Sequence, residues 1–379
     1  MKHASLSPSS SSRWLDCPAS IKACAEYENT SNAASEWGTQ VHYIGEQLLK
    51  GETINVGDVL CEDGQEAFEV DEEMLEVALD YANYVREYIN EDSVVLIEEK
   101  LDLSFIAPDT FGTSDATILN DDVLHVVDLK TGHNIVSAEN NTQLMLYALG
   151  AYHKLKHLSF IEEVTLHIVQ TRAGNISSWS CSVEDLLEFE EFAKKQAQKA
   201  LSDEAEFNPT PRACKWCPHQ ANCEALAQFS EEVVKGDFDD LEEIEGKANL
   251  ISNEHIKKIL DNKDLIISFI KAVEDEALNK LQNGEVIEGY KIVESQTRRA
   301  WDKSEFDKIE KYLLRKLKRD GAYKQTIITP TQALKALDDK SKKYIEKFIV
   351  KPEGKPTLAP LSDKRKPING TVCQFDELD

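Results

Sequence analysis

The stretch GTSDATILNDDVLHVVDLKTG, which runs from Gly112 to Gly132, decides the fold. Its apolar and β-branched residues predict one strand over 112–119 and a second strand over 123–130. The segment between them, Asn120-Asp-Asp, is a turn signal. The stretch therefore predicts a β-hairpin in which the two strands are antiparallel neighbours.

Three charged side chains lie on the two predicted strands of this hairpin. Asp128 and Lys130 are two residues apart, so in a strand they point to the same face. Asp115 lies on the preceding strand, where the short turn makes it a neighbour of both. Two carboxylates can hold a hard divalent cation, and an ammonium beside them can offset the charge of a transition state. Taken alone, Asp128 and Lys130 are better explained as a solvated ion pair at a strand end.

Helix and strand patterns surround the hairpin. On its N-terminal side, periodic apolar positions predict helices over 13–28, 33–49 and 71–90 and a strand over 94–105. On its C-terminal side, they predict a helix over 140–155, strands over 163–170 and 177–183, and a helix over 183–201. This order predicts an α/β domain with a mixed central β-sheet flanked by helices.

The rest of the chain predicts a mainly helical C-terminal extension. It contains predicted helices over 254–282, 304–318 and 331–348 and a strand over 286–297. We therefore divide the chain into a Ser-rich arm (1–12), a core (13–230), an acidic linker (231–250), a basic C-terminal domain (251–351) and an extended Pro-rich tail (352–379).

Charge is distributed unevenly along the chain. Its 43 Lys and Arg and 69 Asp and Glu give a net charge of −26. Between Lys291 and Lys351, however, 17 basic residues stand against 9 acidic ones, a net charge of +8. Such an acidic chain is not expected to bind nucleic acid through its bulk charge. One acidic body and one basic segment indicate at least two functional regions.

Several classes of protein are excluded by what the sequence lacks. No stretch approaches the roughly eighteen consecutive apolar residues of a membrane-spanning helix. The Ser-rich N-terminus has no apolar core of a signal peptide, so we expect a cytoplasmic protein without membrane contact. No G-x-x-x-x-G-K-[ST] motif is present, so no built-in ATPase is expected.

Four of the eight cysteines form a spaced set. Cys214-Lys-Trp-Cys217 is followed after five residues by Cys223, and Cys17 lies almost two hundred residues upstream. In a reducing cytoplasm, metal binding is favoured over disulfides for such a set. The spacing differs from the paired C-x2-C motifs of common zinc sites. The residues alone leave a metal site and free buried thiols as the alternatives.

The hairpin and its surroundings resemble the PD-(D/E)XK nuclease superfamily, in the RecB/AddB-like branch that is shared with CRISPR adaptation nucleases. The motifs that carry the resemblance are Gly112-Thr-x-Asp115, Asp128-x-Lys130-Thr-Gly132 and Gln143-x-x-x-Tyr147, preceded by His42 and by Glu98 or Glu99. The resemblance covers roughly residues 13–225. The whole chain, including Gly354-Lys-Pro-Thr and Ser362-Asp-Lys, is similar to a phage- and prophage-borne family known only as a domain of unknown function.

The resemblance implies a restriction-endonuclease-like core and a divalent-metal-dependent DNA nuclease. The implied protein is an exonuclease of phage recombination or replication, in the cytoplasm of a bacterial host. Its implied partners are DNA and a phage single-strand-annealing or single-strand-binding protein, and an oligomer is compatible with it. The alternative is a nuclease-like fold that binds DNA or a recombination partner without cutting.

The resemblance also assigns roles to the site residues. It implies Mg²⁺ or Mn²⁺ held by His42, Glu98, Asp115, Asp128 and the carbonyl of Leu129. Lys130 would assist the nucleophilic water, and Gln143 and Tyr147 would contact DNA or brace the site. In strict strand alternation Glu98 and Glu99 point to opposite faces, so only one of them can line the site.

For the cysteines, the resemblance implies a [4Fe–4S] cluster. In this nuclease branch one cysteine before the core and three after it bind such a cluster, and Cys17, Cys214, Cys217 and Cys223 match that layout. Zinc in the same ligands is the second interpretation, and Cys24 could replace Cys17. The cluster would stabilise the fold by linking metal binding to folding.

The basic segment is the expected DNA contact outside the core. We predict that Arg298, Arg299, Lys311, Arg315 and Lys318 contact DNA, because so acidic a nuclease needs attraction from elsewhere. Spacings of three and four residues place Lys308, Lys311, Arg315 and Lys318 in one stripe of the predicted helix. A solvated helix face, or a surface for a protein partner, is the alternative.

Overall fold

A computed structural model describes residues 6–27, 32–62, 66–235, 252–295, 299–323, 327–350, 354, 356–360 and 364–367. The chain divides into two compact units, Met1–Phe269 and Ile270–Asp379. Most of the predicted acidic linker over 231–250 lies outside the described residues, as does the last part of the predicted tail.

The first unit is built on a five-stranded sheet, which confirms the predicted mixed α/β fold. Its strands and those of a separate short ribbon are β1 (Val59–Leu60), β2 (Phe68–Glu69), β3 (Val94–Asp102), β4 (Phe111–Asn120), β5 (Val123–Leu129), β6 (Glu163–Gln170) and β7 (Asn175–Ser182). The sheet has the order β3-β4-β5-β6-β7. Only β5 and β6 are parallel; the other neighbours, including the predicted hairpin β4–β5, are antiparallel.

Helices cover both faces of this sheet. Those of the first unit are α1 (Ser11–Trp14), α2 (Ser20–Ala23), α3 (Ala33–Leu49), α4 (Glu72–Arg86), α5 (Thr142–Leu155), α6 (Val183–Leu201), α7 (Pro211–Cys214) and α8 (Glu224–Lys235). Along β5, Leu124 and Val126 pack in the core with α5 and α6, whereas Val127 and Leu129 pack in the core with α3 and α4. This alternation is the period of two that a strand between two helical layers requires.

One predicted helix of the first unit is wrong. The segment over 13–28 does not form a single helix, because α1 ends at Trp14 and α2 begins at Ser20. Pro18 lies between them, and proline cannot donate the backbone hydrogen bond of a helix interior. Cys17 therefore lies in the turn between two short helices rather than on a helix.

The second unit is mainly helical, as predicted for the C-terminal extension. Its elements, with the helix that enters it from the first unit, are α9 (Asn253–Gln282), β8 (Tyr290–Glu294), β9 (Ala300–Trp301), α10 (Phe306–Ala322), α11 (Pro330–Ala336), α12 (Asp339–Ile345), β10 (Ile349–Val350) and β11 (Pro356–Pro360). Strands pair as β8–β11 and β9–β10, both antiparallel. The boundary between the two compact units lies within α9, after Phe269.

The second unit also differs from the prediction at 331–348. Two short helices replace the single predicted one, because Leu337 is extended and Asp338 caps α12 by accepting a hydrogen bond from the Ser341 amide. Aspartate favours such an N-cap over a helix interior. The break turns α12 against α10, where Ile345 and Ile309 share one core.

Candidate metal centre and cysteine site

The strand register places one carboxylate of β3 next to one carboxylate of β4. In the β3–β4 ladder Ile97 pairs with Ala116 and Glu99 pairs with Ser114, so Glu98 lies opposite Asp115. Glu98 has a φ of 48°, in the left-handed region that non-glycine residues rarely adopt. Directly opposed carboxylates repel each other, so this arrangement stabilises the fold only if a cation or proton lies between them.

Helix α3 contributes the third group of this site. His42 Nδ1 lies 3.4 Å from Asp115 Oδ1. The helix can lie this close because it carries glycine where it touches its neighbours. A Cβ on Gly45 would approach the Tyr81 ring to 2.9 Å, and one on Gly38 would approach Thr131 Oγ1 to 2.8 Å.

One set of metal-ligating atoms emerges from this geometry. Ligand atoms of His42, Glu98 and Asp115 all lie within 4.8 Å of one another. Within the described ranges, this is the one group of three or more His, Cys, Asp or Glu residues that meets this spacing. Imidazole and carboxylate together suit a divalent cation such as Mn²⁺ or Mg²⁺.

Asp128 belongs to a second chain of contacts beside this set. Its carboxylate Oδ2 lies 2.8 Å from Lys130 Nζ, and its Oδ1 accepts a 3.3 Å hydrogen bond from Gln143 Nε2. Gln143 Oε1 accepts from Lys130 Nζ at 3.2 Å, and Gln143 Nε2 donates to Tyr147 Oη at 3.0 Å. The predicted residues of β5 and α5 therefore form one continuous network.

Leu129 joins the two groups. Its backbone amide donates a 2.7 Å hydrogen bond to Asp115 Oδ2. Within a strand, the amide and the carbonyl of one residue point to the same side. The Leu129 carbonyl is thereby directed toward the Asp115 edge, as its proposed role as a metal ligand requires.

Burial and charge shift the protonation of the metal set. Burial lowers the pKa of His42, but the surrounding carboxylates, chiefly that of Asp115, outweigh this and raise it to about 9. Burial, with repulsion from Asp115, raises the pKa of Glu98 to about 8. Burial also opposes ionisation of Asp115, yet His42 and Lys130 hold its pKa below the ordinary value. Without a metal, protons therefore balance the negative charge of the site.

Asp128 of β5 is buried as well, and its partner Lys130, directly after the strand, is half-buried. Asp128 is only 1% exposed, and burial raises its pKa although Lys130 opposes this. Burial lowers the pKa of Lys130, but the attraction of Asp128 and Asp115 raises it above the ordinary value. A solvated surface pair, the alternative that the sequence left open, does not describe these two residues.

The structure distinguishes the two neighbouring glutamates. Glu98 lines the cleft that contains His42, whereas Glu99 pairs with Lys154 of α5. The cleft has a volume of about 630 Å³ and exposes hydroxyls of Ser35, Thr39 and Thr131 beside the metal set. Glu98 is therefore the site residue.

One buried residue near the site was not among the predicted functional residues. Tyr81 of α4 is 2% exposed, and its hydroxyl makes no hydrogen bond within the described part of the chain. Burial, followed by the nearby carboxylates of Asp115 and Glu98, raises its pKa. Its apolar periodicity marked it as a core residue, so the sequence held no signal for its place behind the carboxylates.

The predicted cysteines converge at the other site of the first unit. Cys17, Cys214, Cys217 and Cys223 line one small cavity. No three of the described cysteine sulfurs lie within 4.8 Å of one another. A single tetrahedral zinc needs sulfurs about 3.8 Å apart, given Zn–S bonds of about 2.3 Å. The described cysteine sulfurs therefore do not have the arrangement of a formed zinc site.

Cys24 lies beside this set. Its Sγ is 3.7 Å from Cys217 Sγ, but Cys24 is not among the residues that line the cavity. Cys17 does line it, and Cys17 Sγ accepts a 3.3 Å hydrogen bond from the Asn208 amide. Burial raises the pKa of the Cys17 thiol, whereas the hydrogen bond with Cys217 lowers the pKa of Cys24 to about 6, so thiol acidity does not select Cys17. The geometry nevertheless favours Cys17 as the fourth ligand.

The predicted DNA-binding residues lie only partly within the described chain. Arg298 falls outside the described residues, and Arg299 is exposed before β9. Lys311 and Arg315 are exposed on α10, and their spacing of four residues places them on one face of the helix. Lys318 is exposed too, but its φ of 55° and ψ of 178° interrupt the helix, so helical spacing does not extend the stripe to it.

Comparison with known proteins identifies a family. The model of a family described as "Protein of unknown function (DUF2800)" matches residues 3–366. A solved structure titled "Crystal structure of SSO0001" is similar at 15% sequence identity, over 59% of this chain and 88% of that chain, with a TM-score of 0.27. That likeness is too low to support an argument. Within the described residues, no helix has both the length and the apolar content to cross a membrane.

Proposed function

Because the chain belongs to the DUF2800 family, a family of unknown function, we propose its function from the site alone: a divalent-metal-dependent nuclease that hydrolyses phosphodiester bonds of DNA. One observation carries the proposal. Ligand atoms of His42, Glu98 and Asp115 converge within 4.8 Å, and the ion pair of buried Asp128 with half-buried Lys130 lies beside them in the sheet. Opposed carboxylates in a largely desolvated site with a histidine and a lysine lower the stability of the fold. Stability alone therefore does not explain why these residues lie together.

The donor set fits a divalent cation. Glu98 and Asp115 oppose each other across a ladder, and Asp128 Oδ2, although paired with Lys130, has no hydrogen bond of favourable geometry. These oxygens, with the imidazole of His42, would hold Mg²⁺ or Mn²⁺. A bound cation of this kind activates water and neutralises a phosphate oxygen.

Other residues of the site would orient the ligands and the positive charge around this cation. The Leu129 amide fixes the orientation of Asp115. Gln143 fixes Lys130 and Asp128 together, so that the ammonium of Lys130 faces the reacting phosphate as a preformed positive charge. Tyr147 supports Gln143 from within α5.

The cysteines support a second part of the proposal, a [4Fe–4S] cluster bound by Cys17, Cys214, Cys217 and Cys223. Their common cavity supports one shared metal group, and the C-x2-C-x5-C spacing, which differs from the paired motifs of common zinc sites, favours a cluster over zinc. The cluster would join the turn after α1 to the segment after α6. Its role would be to stabilise the first unit rather than to transfer electrons.

Adjacent residues of β3 offer a matched test of the catalytic proposal. Glu98→Gln and Glu99→Gln make the same change one residue apart, but only Glu98 lines the cleft. Anaerobically purified protein is incubated with end-labelled linear DNA and with closed circular DNA, single- and double-stranded, with Mg²⁺ or Mn²⁺. We expect Glu98→Gln to abolish cleavage and Glu99→Gln to leave it unchanged.

The same assay separates the alternatives. Release of mononucleotides from linear DNA, with circular DNA intact, would support the exonuclease that the resemblance implies for phage recombination or replication. Metal-independent binding without any cleavage, in all variants alike, would instead support the non-cutting DNA-binding protein. Cleavage retained by Glu98→Gln and by Asp128→Ala would contradict the assigned metal centre.

A further inference from the structure

A stack of four side chains lies on the second unit, far in sequence from the metal centre. The rings of Tyr312 on α10 and Tyr344 on α12 are stacked, with centroids 4.3 Å apart and an interplanar angle of 26°. Arg315 lies over the Tyr312 ring at 5.3 Å, and Lys347 lies over the Tyr344 ring at 3.9 Å. Two aromatic rings are therefore flanked by two cations.

Burial shows which part of this stack solvent reaches. Tyr312 is 8% exposed and belongs to the core between α10 and α12, whereas Tyr344 is 39% exposed. Arg315 and Lys347 are both exposed. The inner ring thus anchors the outer ring, and the outer ring holds a cation on the surface.

Further positive charge surrounds the stack. Lys311 is exposed on the same helix as Arg315, and Lys343 is exposed beside Tyr344, whereas Lys308 is paired with Glu305. The segment from Lys291 to Lys351 carries a net charge of +8, in a chain whose net charge is −26. The ligand that this surface attracts is therefore a polyanion.

We propose that this surface, formed by Tyr312, Arg315, Tyr344 and Lys347, binds single-stranded DNA. The cations would contact phosphates, and a base would stack on Tyr344 in place of Lys347. An exposed cation over a ring is held weakly, so a base can displace it, and the ammonium remains near enough to bind the adjacent phosphate.

A single strand fits this surface better than a duplex does. In a duplex the faces of the bases are covered by neighbouring bases, and only the phosphates and groove edges are accessible. The face of Tyr344 that Lys347 covers becomes available when the ammonium is displaced, and only an unpaired base can then stack on it. The cationic stripe alone would bind either form, so Tyr344 is the residue that discriminates between them.

The surface functions independently of the proposed metal centre. Binding is therefore measured in EDTA, where no cleavage can occur, by fluorescence anisotropy of the full-length protein. The probes are a labelled oligothymidylate, an abasic oligonucleotide with the same number of phosphates, and a duplex. Failure of the nuclease proposal would appear only in cleavage assays with metal, and failure of this proposal only here.

The variants separate stacking from charge. Tyr344→Ala should weaken oligothymidylate binding about 5- to 100-fold and leave abasic binding nearly unchanged, because only the base contact is lost. Tyr344→Phe should bind as the wild type does. Arg315→Gln with Lys347→Gln should weaken both oligonucleotides and reduce the salt slope of binding by about 1.4, because two phosphate contacts are lost.

Tyr290→Ala is the matched control, because Tyr290 is a 46% exposed tyrosine on β8 of the same unit without a place in the stack. It should bind as the wild type does. Equal affinity of wild type and Tyr344→Ala for oligothymidylate would overturn the proposal. Equal competition by polyglutamate would overturn it as well, and would assign the surface to an acidic protein partner.

Discussion

The carboxylate site and the cysteine site of the first unit are built in opposite ways. Asp115 and Asp128 come from strands joined by a short turn, so a backbone ladder sets their separation. Cys17 and Cys214 are almost two hundred residues apart, and contacts such as the ion pair of Arg212 with Asp16 hold their segments together. The sheet therefore positions the residues of the first site, whereas contacts between distant segments bring the cysteines of the second site together.

The largest expected effect is on the chemistry of the carboxylate site. Asp128→Asn should lower cleavage at least about 1000-fold, because it removes a charge that the metal and Lys130 both require. The sheet ladder remains, so the thermal midpoint should move less than in any cluster-ligand variant. Cleavage rates and thermal unfolding of the same preparations measure the two effects.

Asp122→Asn is the control for this substitution, because Asp122 is exposed in the β4–β5 turn of the same hairpin. It should retain full cleavage. A loss of activity in Asp122→Asn equal to that of Asp128→Asn would mean that hairpin stability, not metal chemistry, was being measured.

The reverse pattern is expected at the cysteine site. Cys214→Ser should abolish visible absorbance and lower stability by about 3 to 5 kcal/mol, the scale of a cross-link that closes a long loop. For a unit of this size that is about 6 to 20 °C in the thermal midpoint. Iron content, absorbance and differential scanning calorimetry check it.

The residual activity of Cys214→Ser decides whether the two sites are separate. Below its own unfolding temperature, the variant should still cleave DNA at a rate within about tenfold of the wild type, because no sulfur belongs to the metal set. Wild-type stability with stoichiometric zinc and no iron would contradict the cluster. Complete inactivity of a folded variant would contradict the separation.

The placement of the hairpin residues could be predicted from the sequence because it follows from short-range rules. A hairpin turn and a two-residue alternation place Asp115, Asp128 and Lys130 together without knowledge of the rest of the fold. Glu98 could not be distinguished from Glu99 in this way, because its φ of 48° breaks the alternation and no glycine marks it. The choice depends on the packing of Lys154 against Glu99.

Prediction failed where a break in a helix decided the geometry. The segment over 331–348 was expected to be one helix, and that helix would have carried Tyr344 past α10. Asp338 instead caps a new helix and turns Tyr344 onto Tyr312. The segment is charged and otherwise typical of a helix, so its sequence does not show that this one aspartate is an N-cap rather than a residue of the helix interior.

An effect of intermediate size is expected on the pH dependence of stability, and it depends on a buried histidine outside the metal set. His167 of β6 is 1% exposed, bonded to Tyr84 and His125, and burial lowers its pKa to about 3. The unfolded chain therefore binds a proton below about pH 6.5 that the folded chain does not, and stability falls as the pH falls toward 3. At pH 5 the penalty is about 2 kcal/mol.

His42 acts in the opposite direction, because its raised pKa stabilises the fold below about pH 6.5 and that contribution is lost as the pH rises through 9. His167→Gln removes the penalty of the buried His167. Between pH 7 and pH 5 its free energy of unfolding, measured in urea, should therefore fall by about 2 kcal/mol less than that of the wild type. An identical pH dependence in both proteins would show that His167 is protonated in the native state.

The smallest effect is expected from the cysteine that lies beside the cluster site. Cys24→Ser should retain the visible absorbance and the iron content of the wild type, with a stability change below about 1 kcal/mol. Cys17 lines the cavity and receives a hydrogen bond from the Asn208 amide, whereas Cys24 contacts Cys217 from outside. If Cys24→Ser lost the absorbance and Cys17→Ser kept it, Cys24 would be the ligand. The long-range link would then run from the end of α2, and the turn at Pro18 would have no part in the cysteine site.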